Sequence, residues 1–410
     1  MKTFDLQRIV LITCVYALCS SCSLYSINSQ VSKIDNASVV HGKVSSAIKD
    51  VPLYVAIFKY SGQVFQLTDH SLVEKNNLFE YNVLPQDLAF SAFADVNRDG
   101  KYQEGEPATY LGIENKTPRI ISIKPNETID VGELRIEGPI KKPENITVVD
   151  KQSRISKNLG RVVSFDEPMF APEAQSVGLW RPLDYLNEYG GGIVFLQSYD
   201  AAKTPVLFVH GIAGSATSFT PELNSLDTEH FQPWIFQYPS GLNLGILSNY
   251  VDDALLQLQA KYGFKDIIIV AHSMGGLLTH AFIKQYVESA PPYKLRFVMT
   301  INSPLYGMDS AATGVRHSPI VVPSWRDVAS GSDFVKTVHS KPWPEDLPYF
   351  LVFSYLPGEE GDGVVPLKSQ LSLQLQDKAV GIMGFEAGHT DILANPDFVK
   401  RFQAILNNYR

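Results

Sequence analysis

Five compact apolar runs, separated by segments with helical periodicity, constrain the fold of this 410-residue chain more than any other feature of its sequence. The runs lie at 205–209, 232–238, 266–271, 296–301 and 348–353. Runs of this kind are typical of strands buried on both faces of a parallel sheet, which needs long crossover connections between its strands. The best helical segment, 245–262, carries apolar residues three and four positions apart on one face. The sequence therefore predicts an α/β fold with a mostly parallel sheet.

Residues 37–137 follow a different pattern, in which short alternating apolar runs are separated by turn residues about every ten positions. The runs lie at 51–58, 64–67, 78–83, 88–93, 119–123 and 128–131. Because no helical periodicity appears in this region, it predicts a smaller all-β sandwich domain. Residues 138–158 are rich in Pro, Lys and Asn and are interpreted as a linker, so the α/β domain is predicted to cover 159–410.

The N-terminus has the layout of a signal peptide, with a basic start, an apolar stretch at 9–18 and small polar residues after it. The apolar stretch is about half of the roughly 20 residues that cross a bilayer, so we predict a signal peptide over 1–21. Residues 17–22, Ala-Leu-Cys-Ser-Ser-Cys, resemble the cleavage box of bacterial lipoproteins, and this resemblance implies acylation of Cys22 and an outer-membrane location. The alternative is a signal peptide that is cleaved for release. All three cysteines lie in this segment, so the rest of the chain can form no disulfide within itself.

The charge balance argues against nucleic acid as a partner. The chain has 35 basic and 43 acidic residues and a net charge of −8. It therefore lacks the positive surface that binding to a polyanion requires. Its 45% hydrophobic and 19% charged residues are typical of a folded globular protein.

Ser273 is the predicted nucleophile because of the turn on which it lies. The sequence Ala271-His-Ser-Met-Gly-Gly276 separates the apolar run 266–271 from a predicted helix over 275–287. Small residues two positions before and after the serine let the backbone approach closely, and a sharp strand-to-helix turn exposes the hydroxyl at the helix N-terminus. The alternative, a helix-capping serine in an ordinary turn, would explain Ser273 alone.

A serine nucleophile needs a general base and a carboxylate that orients it. His389, flanked by Gly388, follows the predicted last strand at 380–385 and is the predicted base. Asp362 lies in the Gly-Asp-Gly-Val-Val-Pro loop at 361–366 and is the predicted acid. The fallback candidates for the acid are Glu359, Glu360 and Asp391.

The remaining histidines fit the role of base less well. The turn around Ser273 resembles the nucleophile elbow of the α/β-hydrolase fold, and this resemblance implies that the base follows the acid in the chain, so His317 and His339 come too early. His272 lies beside the nucleophile, with its side chain expected to point elsewhere. His210 is interpreted as a structural hydrogen-bonding group.

An oxyanion hole needs two main-chain N–H groups, one of which comes from the residue after the serine, here Met274. The second is expected from the loop after the run 205–209, which reads His-Gly-Ile-Ala-Gly-Ser at 210–215. The loop resembles that of α/β hydrolases, in which the residue after His-Gly donates, and this resemblance implies Ile212 as the second donor.

Taken together, these motifs resemble the α/β-hydrolase superfamily, close to bacterial triacylglycerol lipases and the GPI-deacylase-like branch. The motifs lie at 208–215, 271–276, 302–304, 361–366 and 388–389. The resemblance implies an α/β-hydrolase fold from about residue 159 to the C-terminus, with a Ser-Asp-His triad that uses no cofactor. A long insert at 305–344 either forms a cap that selects the acyl chain or is inert structure.

Residues 95–106 match the spacing of a calcium loop, with oxygen ligands at positions 1, 3 and 5, a glycine at 6 and a carboxylate at 12. The predicted ligands are Asp95, Asn97, Asp99, Lys101 and Glu106. No helices are predicted on either side, so a calcium ion here would have a structural role between strands. The alternative is a hairpin turn without an ion.

The sequence thus predicts an exported serine hydrolase that cleaves carboxylic esters, with glycerolipids or phospholipids as the first candidate substrates and the membrane as a partner through the lipid anchor. Two alternatives remain open. One is an acyltransferase or thioesterase that uses the same triad. The other is a surface binding or adhesion lipoprotein in which the β domain acts and the hydrolase fold is a non-catalytic scaffold.

Overall fold

The computed structural model describes residues 24–62, 64–73, 76–103, 105–114, 117–139, 147–150 and 158–410. The predicted signal peptide and Cys22 lie outside the described residues. No helix within the described ranges is both long and apolar enough to cross a bilayer.

The N-terminal β domain contains eleven strands within the described residues. In chain order they are β1 (Ser38–Ser46), β2 (Leu53–Ser61), β3 (Val64–Leu72), β4 (Leu78–Val83), β5 (Asp87–Ala94), β6 (Ala108–Tyr110), β7 (Ile113–Glu114), β8 (Thr117–Pro118), β9 (Ile121–Ser122), β10 (Thr128–Ile136) and β11 (Thr147–Asp150). The two larger sheets have the orders β10-β1-β4 and β11-β3-β2-β5-β6, with β9 paired to β5 in the second, and β7 and β8 form a separate two-stranded sheet. The two larger sheets share a hydrophobic core that includes Val44, Ile57 and Phe90.

Five strands of this domain lie outside the predicted apolar runs, namely β1, β6, β7, β8 and β11. β1 was not among the predicted runs, because small and polar residues occupy most of its positions and Val40 and Val44 are its only buried apolar side chains. β11 lies in the segment interpreted as a linker, yet it pairs in parallel with β3. The sheet therefore extends into the predicted linker.

Residues 24–35 are helical (α1) and pack against the C-terminal part of the chain. Ile34 belongs to the main core of the C-terminal domain. The Gln30 side-chain oxygen accepts the Leu183 N–H at 2.9 Å, and Asp35 forms an ion pair with Arg326 at 2.5 Å. The segment that directly follows Cys22 and Ser23 is thus tied to the C-terminal domain, which the sequence analysis did not anticipate.

The C-terminal domain is built on a seven-stranded sheet with helices on both faces. Its strands are β12 (Gly192–Phe195), β13 (Thr204–Val209), β14 (Phe231–Gln237), β15 (Asp266–His272), β16 (Lys294–Ile301), β17 (Tyr349–Tyr355) and β18 (Ala379–Glu386). Its helices are α2 (Pro172–Trp180), α3 (Pro182–Glu188), α4 (Thr220–Asn224), α5 (Leu244–Tyr262), α6 (Met274–Ser289), α7 (Asp309–His317), α8 (Pro323–Val328), α9 (Asp333–Val338), α10 (Leu367–Gln370), α11 (Leu373–Gln376) and α12 (Pro396–Asn407). Single 3-10 turns lie at Pro168–Phe170, Ala216–Phe219 and Asp391–Ala394.

The strand order is β12-β14-β13-β15-β16-β17-β18. β12 is antiparallel to β14, and every other neighbouring pair is parallel. A hydrophobic core lies on each face of the sheet. The side chains of successive β15 residues pack into opposite cores, Ile269 into one and Ile268 into the other. This burial on both faces explains the continuous apolar runs and confirms the predicted α/β-hydrolase fold with its mostly parallel sheet.

The insert at 305–344 contains α7, α8 and α9. Val335 and Val338 of α9 and Trp343 after it are buried in the main core, whereas α7 has no buried residue. The insert is therefore in part a component of the core. A role as a cap over the substrate stays a prediction.

Candidate active site

The residues singled out by the sequence follow the carboxyl ends of parallel strands, where ligands of open α/β sheets bind. Ser273 directly follows β15, Asp362 follows β17, and His389 follows β18. The loop 210–215 follows β13, which lies beside β15 in the sheet. One edge of the sheet therefore carries all of these groups.

Ser273 adopts a backbone conformation that residues other than glycine rarely adopt, with φ 55° and ψ −131°. It directly precedes the first residue of α6. A side chain on Gly211 would place its Cβ 2.7 Å from the Ser273 Cβ, and one on Gly275 would lie 2.5 Å from the His210 carbonyl oxygen. The glycines therefore let the 210–215 loop approach the serine closely.

His389 links the serine to a carboxylate. Its Nε2 lies 2.9 Å from the Ser273 Oγ, and its Nδ1 lies 2.7 Å from an Asp362 carboxylate oxygen. The carboxylate can only accept from Nδ1–H, so Nε2 of the neutral ring is left free to accept the serine hydroxyl proton. The structure thus brings Ser273, His389 and Asp362 together in one hydrogen-bonded relay.

The Asp362 side chain is completely buried and is fixed by its own loop. Its Oδ1 accepts the main-chain N–H groups of Val364 at 2.9 Å and Val365 at 2.7 Å. Because these donors occupy Oδ1, Oδ2 is the oxygen that faces His389. Asp362, and none of the fallback candidates, is the partner of the ring.

Two main-chain N–H groups are available beside the serine. Met274 is the first residue of α6, so its N–H has no carbonyl partner within the helix. The Ile212 N–H donates to none of the described residues, whereas the next N–H, of Ala213, donates to the Ser240 hydroxyl at 2.9 Å. These are the two groups predicted for an oxyanion hole.

Two buried histidines on the strands and loops around the serine, His210 and His272, are neutral and have structural bonds. The Nδ1 of His210 lies 2.8 Å from the Gly211 carbonyl oxygen, and its ring stacks on Tyr238 at 4.1 Å. Burial lowers the pKa of His210 to about 4. Burial, followed by the proximity of His389, lowers the pKa of His272 to about 3.

A buried polar network that the sequence analysis missed supports the loops that carry the acid and the base. The Asn302 amide donates to the Ser354 hydroxyl at 2.6 Å and to the His389 carbonyl at 3.0 Å. The Gln370 amide donates to the carbonyls of Ser354 at 3.1 Å and Val365 at 2.8 Å. The motif Asn-Ser-Pro at 302–304 was the available signal for Asn302, whereas Gln370 lies in a short helix without a recognisable motif.

Glu222, in α4, is a buried carboxyl that no sequence pattern indicated. Its side chain is fully buried, and neither carboxylate oxygen has a hydrogen-bond partner within the described structure. Burial raises the pKa of Glu222 to about 8. The folded protein therefore keeps this group protonated at neutral pH.

Replacing Glu222 with glutamine is expected to stabilise the fold at high pH more than at low pH. In the unfolded chain the carboxyl ionises above its ordinary pKa of 4.5, whereas in the folded chain it stays protonated up to about 8. The free energy of unfolding of the wild type therefore falls as the pH rises between these two values, by an amount on the order of a few kcal/mol. The glutamine variant lacks this loss because its side chain does not ionise. The measurement is urea unfolding at about pH 5 and about pH 8, with exposed Glu173→Gln as the control. An equal difference from wild type at both pH values would contradict the assignment.

The predicted calcium loop joins β5 to β6. The carboxylate oxygens of Asp95 accept the N–H groups of Asp99 and Gly100, and those of Glu106 accept the N–H groups of Val96 and Gln103. Each of these four oxygens keeps a further lone pair, so this bonding leaves capacity for an ion. Calcium binding by this loop stays a prediction.

Among the described residues, one group of His, Cys, Asp or Glu side chains offers three ligand atoms within 4.8 Å of one another. It consists of Asp227, Glu229 and His230, and Asp227 also pairs with Arg410 at 2.7 Å. It lies apart from the predicted calcium loop. The structure therefore does not bring the carboxylates of Asp95, Asp99 and Glu106 together in such a group.

Comparison with known proteins agrees with the fold. Residues 243–406, which include Ser273, Asp362 and His389, match the model of a family described as an alpha/beta hydrolase of unknown function (DUF915). No curated protein matches the sequence. The fold and the family match together support a hydrolase.

Several solved structures resemble about half of the chain. The product of the gene lin2722 from Listeria innocua is 19% identical with a TM-score of 0.40, and the match covers 51% of this chain and 95% of that one. The mature form of the lipase BlEst2 from Bacillus licheniformis is 17% identical with a TM-score of 0.42, covering 51% of this chain and 94% of that one. The naproxen esterase from Bacillus subtilis is 14% identical with a TM-score of 0.33, and the match covers 51% of this chain and 84% of that one.

Proposed function

We propose that this protein is a serine hydrolase that cleaves carboxylic esters through an acyl-enzyme. The observation that carries the proposal is the relay from the Ser273 Oγ through His389 to Asp362, with distances of 2.9 and 2.7 Å. A serine on a strained turn, a neutral imidazole with a free Nε2 and a buried carboxylate are the groups that nucleophilic acyl transfer needs.

In the proposed reaction the Ser273 Oγ attacks the ester carbonyl carbon while His389 Nε2 takes the hydroxyl proton. The N–H groups of Ile212 and Met274 stabilise the oxyanion of the tetrahedral intermediate. His389 then gives its proton to the leaving alcohol, and an ester between Ser273 and the acyl group remains. Water, deprotonated by His389, attacks this ester, releases the carboxylic acid and restores the serine. No step needs a metal or an organic cofactor.

Exposed apolar side chains on the loops that carry the predicted oxyanion donor and the acid favour an acyl substrate with an apolar part. Ile212 is 37% exposed and Val364 is 54% exposed, and they belong to the loops that carry the predicted oxyanion donor and the acid. Apolar side chains at this position suit the acyl chain of a lipid or of a simple ester. Glycerolipids and phospholipids therefore remain the first candidate substrates.

The test is a substrate profile of the purified protein with p-nitrophenyl esters of graded length, phospholipids and acyl-CoA. We expect release of free carboxylic acid from the esters. Faster cleavage of acyl-CoA would favour a thioesterase, and transfer of the acyl group to an added alcohol would favour an acyltransferase. No turnover of any of these compounds would favour the binding protein with a non-catalytic scaffold.

We also propose export and anchoring at the outer membrane through an acylated Cys22. Support comes from the lipoprotein-like sequence and from the position of α1, whose described part begins two residues after that cysteine. Two residues span at most about 7 Å. Because α1 is packed on the C-terminal domain through Gln30 and Ile34, an anchor at Cys22 would hold this domain close to lipid. A calcium ion at 95–106 would stabilise the β domain and take no part in the reaction.

A further inference from the structure

The main-chain carbonyl oxygen of His389 accepts two hydrogen bonds from buried side chains. The His272 Nε2 lies 2.9 Å from this oxygen, and the Asn302 Nδ2 lies 3.0 Å from it. His272 ends β15 and Asn302 directly follows β16, so two neighbouring strands supply the donors. They are 117 and 87 positions away from His389 in the chain.

The burial and the backbone conformation of Asn302 hold its side chain in place. It is completely buried, has a positive φ of 48°, and its own N–H donates to the Val352 carbonyl at 2.9 Å. Its amide oxygen has no hydrogen-bond partner within the described structure. A buried oxygen without a hydrogen bond destabilises the folded state. We therefore attribute the presence of asparagine at this position to the two hydrogen bonds that its amide nitrogen donates.

His272 is held in place in the same way. It is buried, and its ring packs at 4.9 Å from the His389 ring and edge-on at 6.5 Å from Phe219. A carbonyl oxygen only accepts, so His272 must carry its proton on Nε2. Burial keeps the pKa of His272 near 3, so the ring stays neutral at ordinary pH.

The loop that carries His389 needs such support. Gly388 precedes the histidine, and glycine allows the main chain a wide range of conformations. A displacement of about 1 Å in a reacting group can cost on the order of 10²-fold in rate. Two fixed donors on the carbonyl of residue 389 restrict the main chain from which the imidazole extends.

We propose that His272 and Asn302 are positioning residues that fix the general base by binding the main-chain carbonyl of His389. This inference rests on the proposed function, because it assigns the two side chains a role in the reaction of Ser273. Neither residue touches the reacting atoms. Both act through the loop that carries His389.

The experiment compares His272→Gln with His272→Phe. The glutamine amide can reach the place of the histidine Nε2 and donate, whereas phenylalanine fills the space without a donor. We measure kcat and KM for p-nitrophenyl butyrate and the melting temperature of each variant. We expect His272→Phe to lose about 10- to 100-fold in kcat with little change in KM, and His272→Gln to recover most of that loss.

Asn302→Asp provides a second, independent variant of equal size in which the donor is replaced by an acceptor. We expect a loss of kcat of the same order. Because both side chains bind one carbonyl, the losses in a double variant are expected to be non-additive. His70→Phe is the matched control, since the His70 Nε2 lies 2.8 Å from the Gly100 carbonyl in the β domain. It should leave kcat unchanged.

The outcomes separate this inference from the proposed function. If the wild type hydrolyses esters but folded His272→Phe and Asn302→Asp keep kcat within twofold, the positioning role is overturned and the hydrolase is not. The role is also overturned if His272→Gln is as impaired as His272→Phe. If the wild type neither hydrolyses esters nor reacts with a fluorophosphonate, the proposed function fails first and the inference fails with it.

Discussion

Replacing Ser273 with alanine is expected to abolish ester hydrolysis, with a loss in kcat on the order of 10⁵- to 10⁶-fold. The variant lacks the hydroxyl oxygen that lies 2.9 Å from the His389 Nε2. The oxyanion donors and the binding surface remain, so a small rate above that of water persists. Substrate binding should change little, because the removed atom acts in the chemical step.

The measurement combines turnover of p-nitrophenyl butyrate with labelling by a fluorophosphonate, which reacts with activated serines. The wild type should be labelled once, at Ser273, and Ser273→Ala should not be labelled. Ser225→Ala is the control, because the Ser225 hydroxyl donates to a main-chain carbonyl in α4 and lies outside the relay. Labelling of Ser273→Ala at another serine would show that the nucleophile is elsewhere.

The parts of this site that the sequence could indicate are those with a local signature. Ser273 is recognisable because Ala271 and Gly275 must be small for the turn to form. Asp362 is recognisable because glycines flank it within its own loop. The apolar runs of the sheet are visible because each of their strands, six to eight residues long, is buried on both faces.

The parts that the sequence could not indicate depend on contacts between distant segments. His272 was expected to point elsewhere, and the hydrogen bond described for its ring is not to the Ser273 hydroxyl. Its bond, however, is made to a carbonyl 117 positions later. Glu222 looks like an ordinary acidic residue in the first turn of a helix, and only the packing around α4 makes it a buried neutral acid.

The contacts of the segment before β1 and of the predicted linker could not be predicted from the sequence either. α1 joins the core of the C-terminal domain through Ile34, and β11 joins the N-terminal sheet by pairing with β3. Because β11 and α1 are short, the hydrophobic patterns in their own sequences are weak. Their places are decided by the partner surfaces, which become defined only in the folded chain.

Replacing Asp362 with asparagine is expected to lower kcat by about 10⁴-fold while the fold is retained. The N–H groups of Val364 and Val365 both donate to Oδ1, so the amide oxygen of asparagine is held at that position. The NH₂ group must then occupy the place of Oδ2, 2.7 Å from the His389 Nδ1. Because the NH₂ group can only donate, His389 must place its proton on Nε2, and the ring loses the acceptor that takes the serine proton.

The measurement is kcat and KM together with the rate of fluorophosphonate labelling, which should fall in parallel with kcat because both need an activated Ser273. Asp391→Asn is the matched control. Asp391 was a fallback candidate for the acid and lies near Gly388, but the His389 Nδ1 bonds to Asp362, so this variant should retain nearly full activity. A loss in Asp362→Asn of less than about tenfold would mean that the carboxylate does not set the tautomer of His389. A large loss in Asp391→Asn would transfer that role to Asp391, because the ring needs one acceptor on Nδ1 and only one carboxylate can occupy that position.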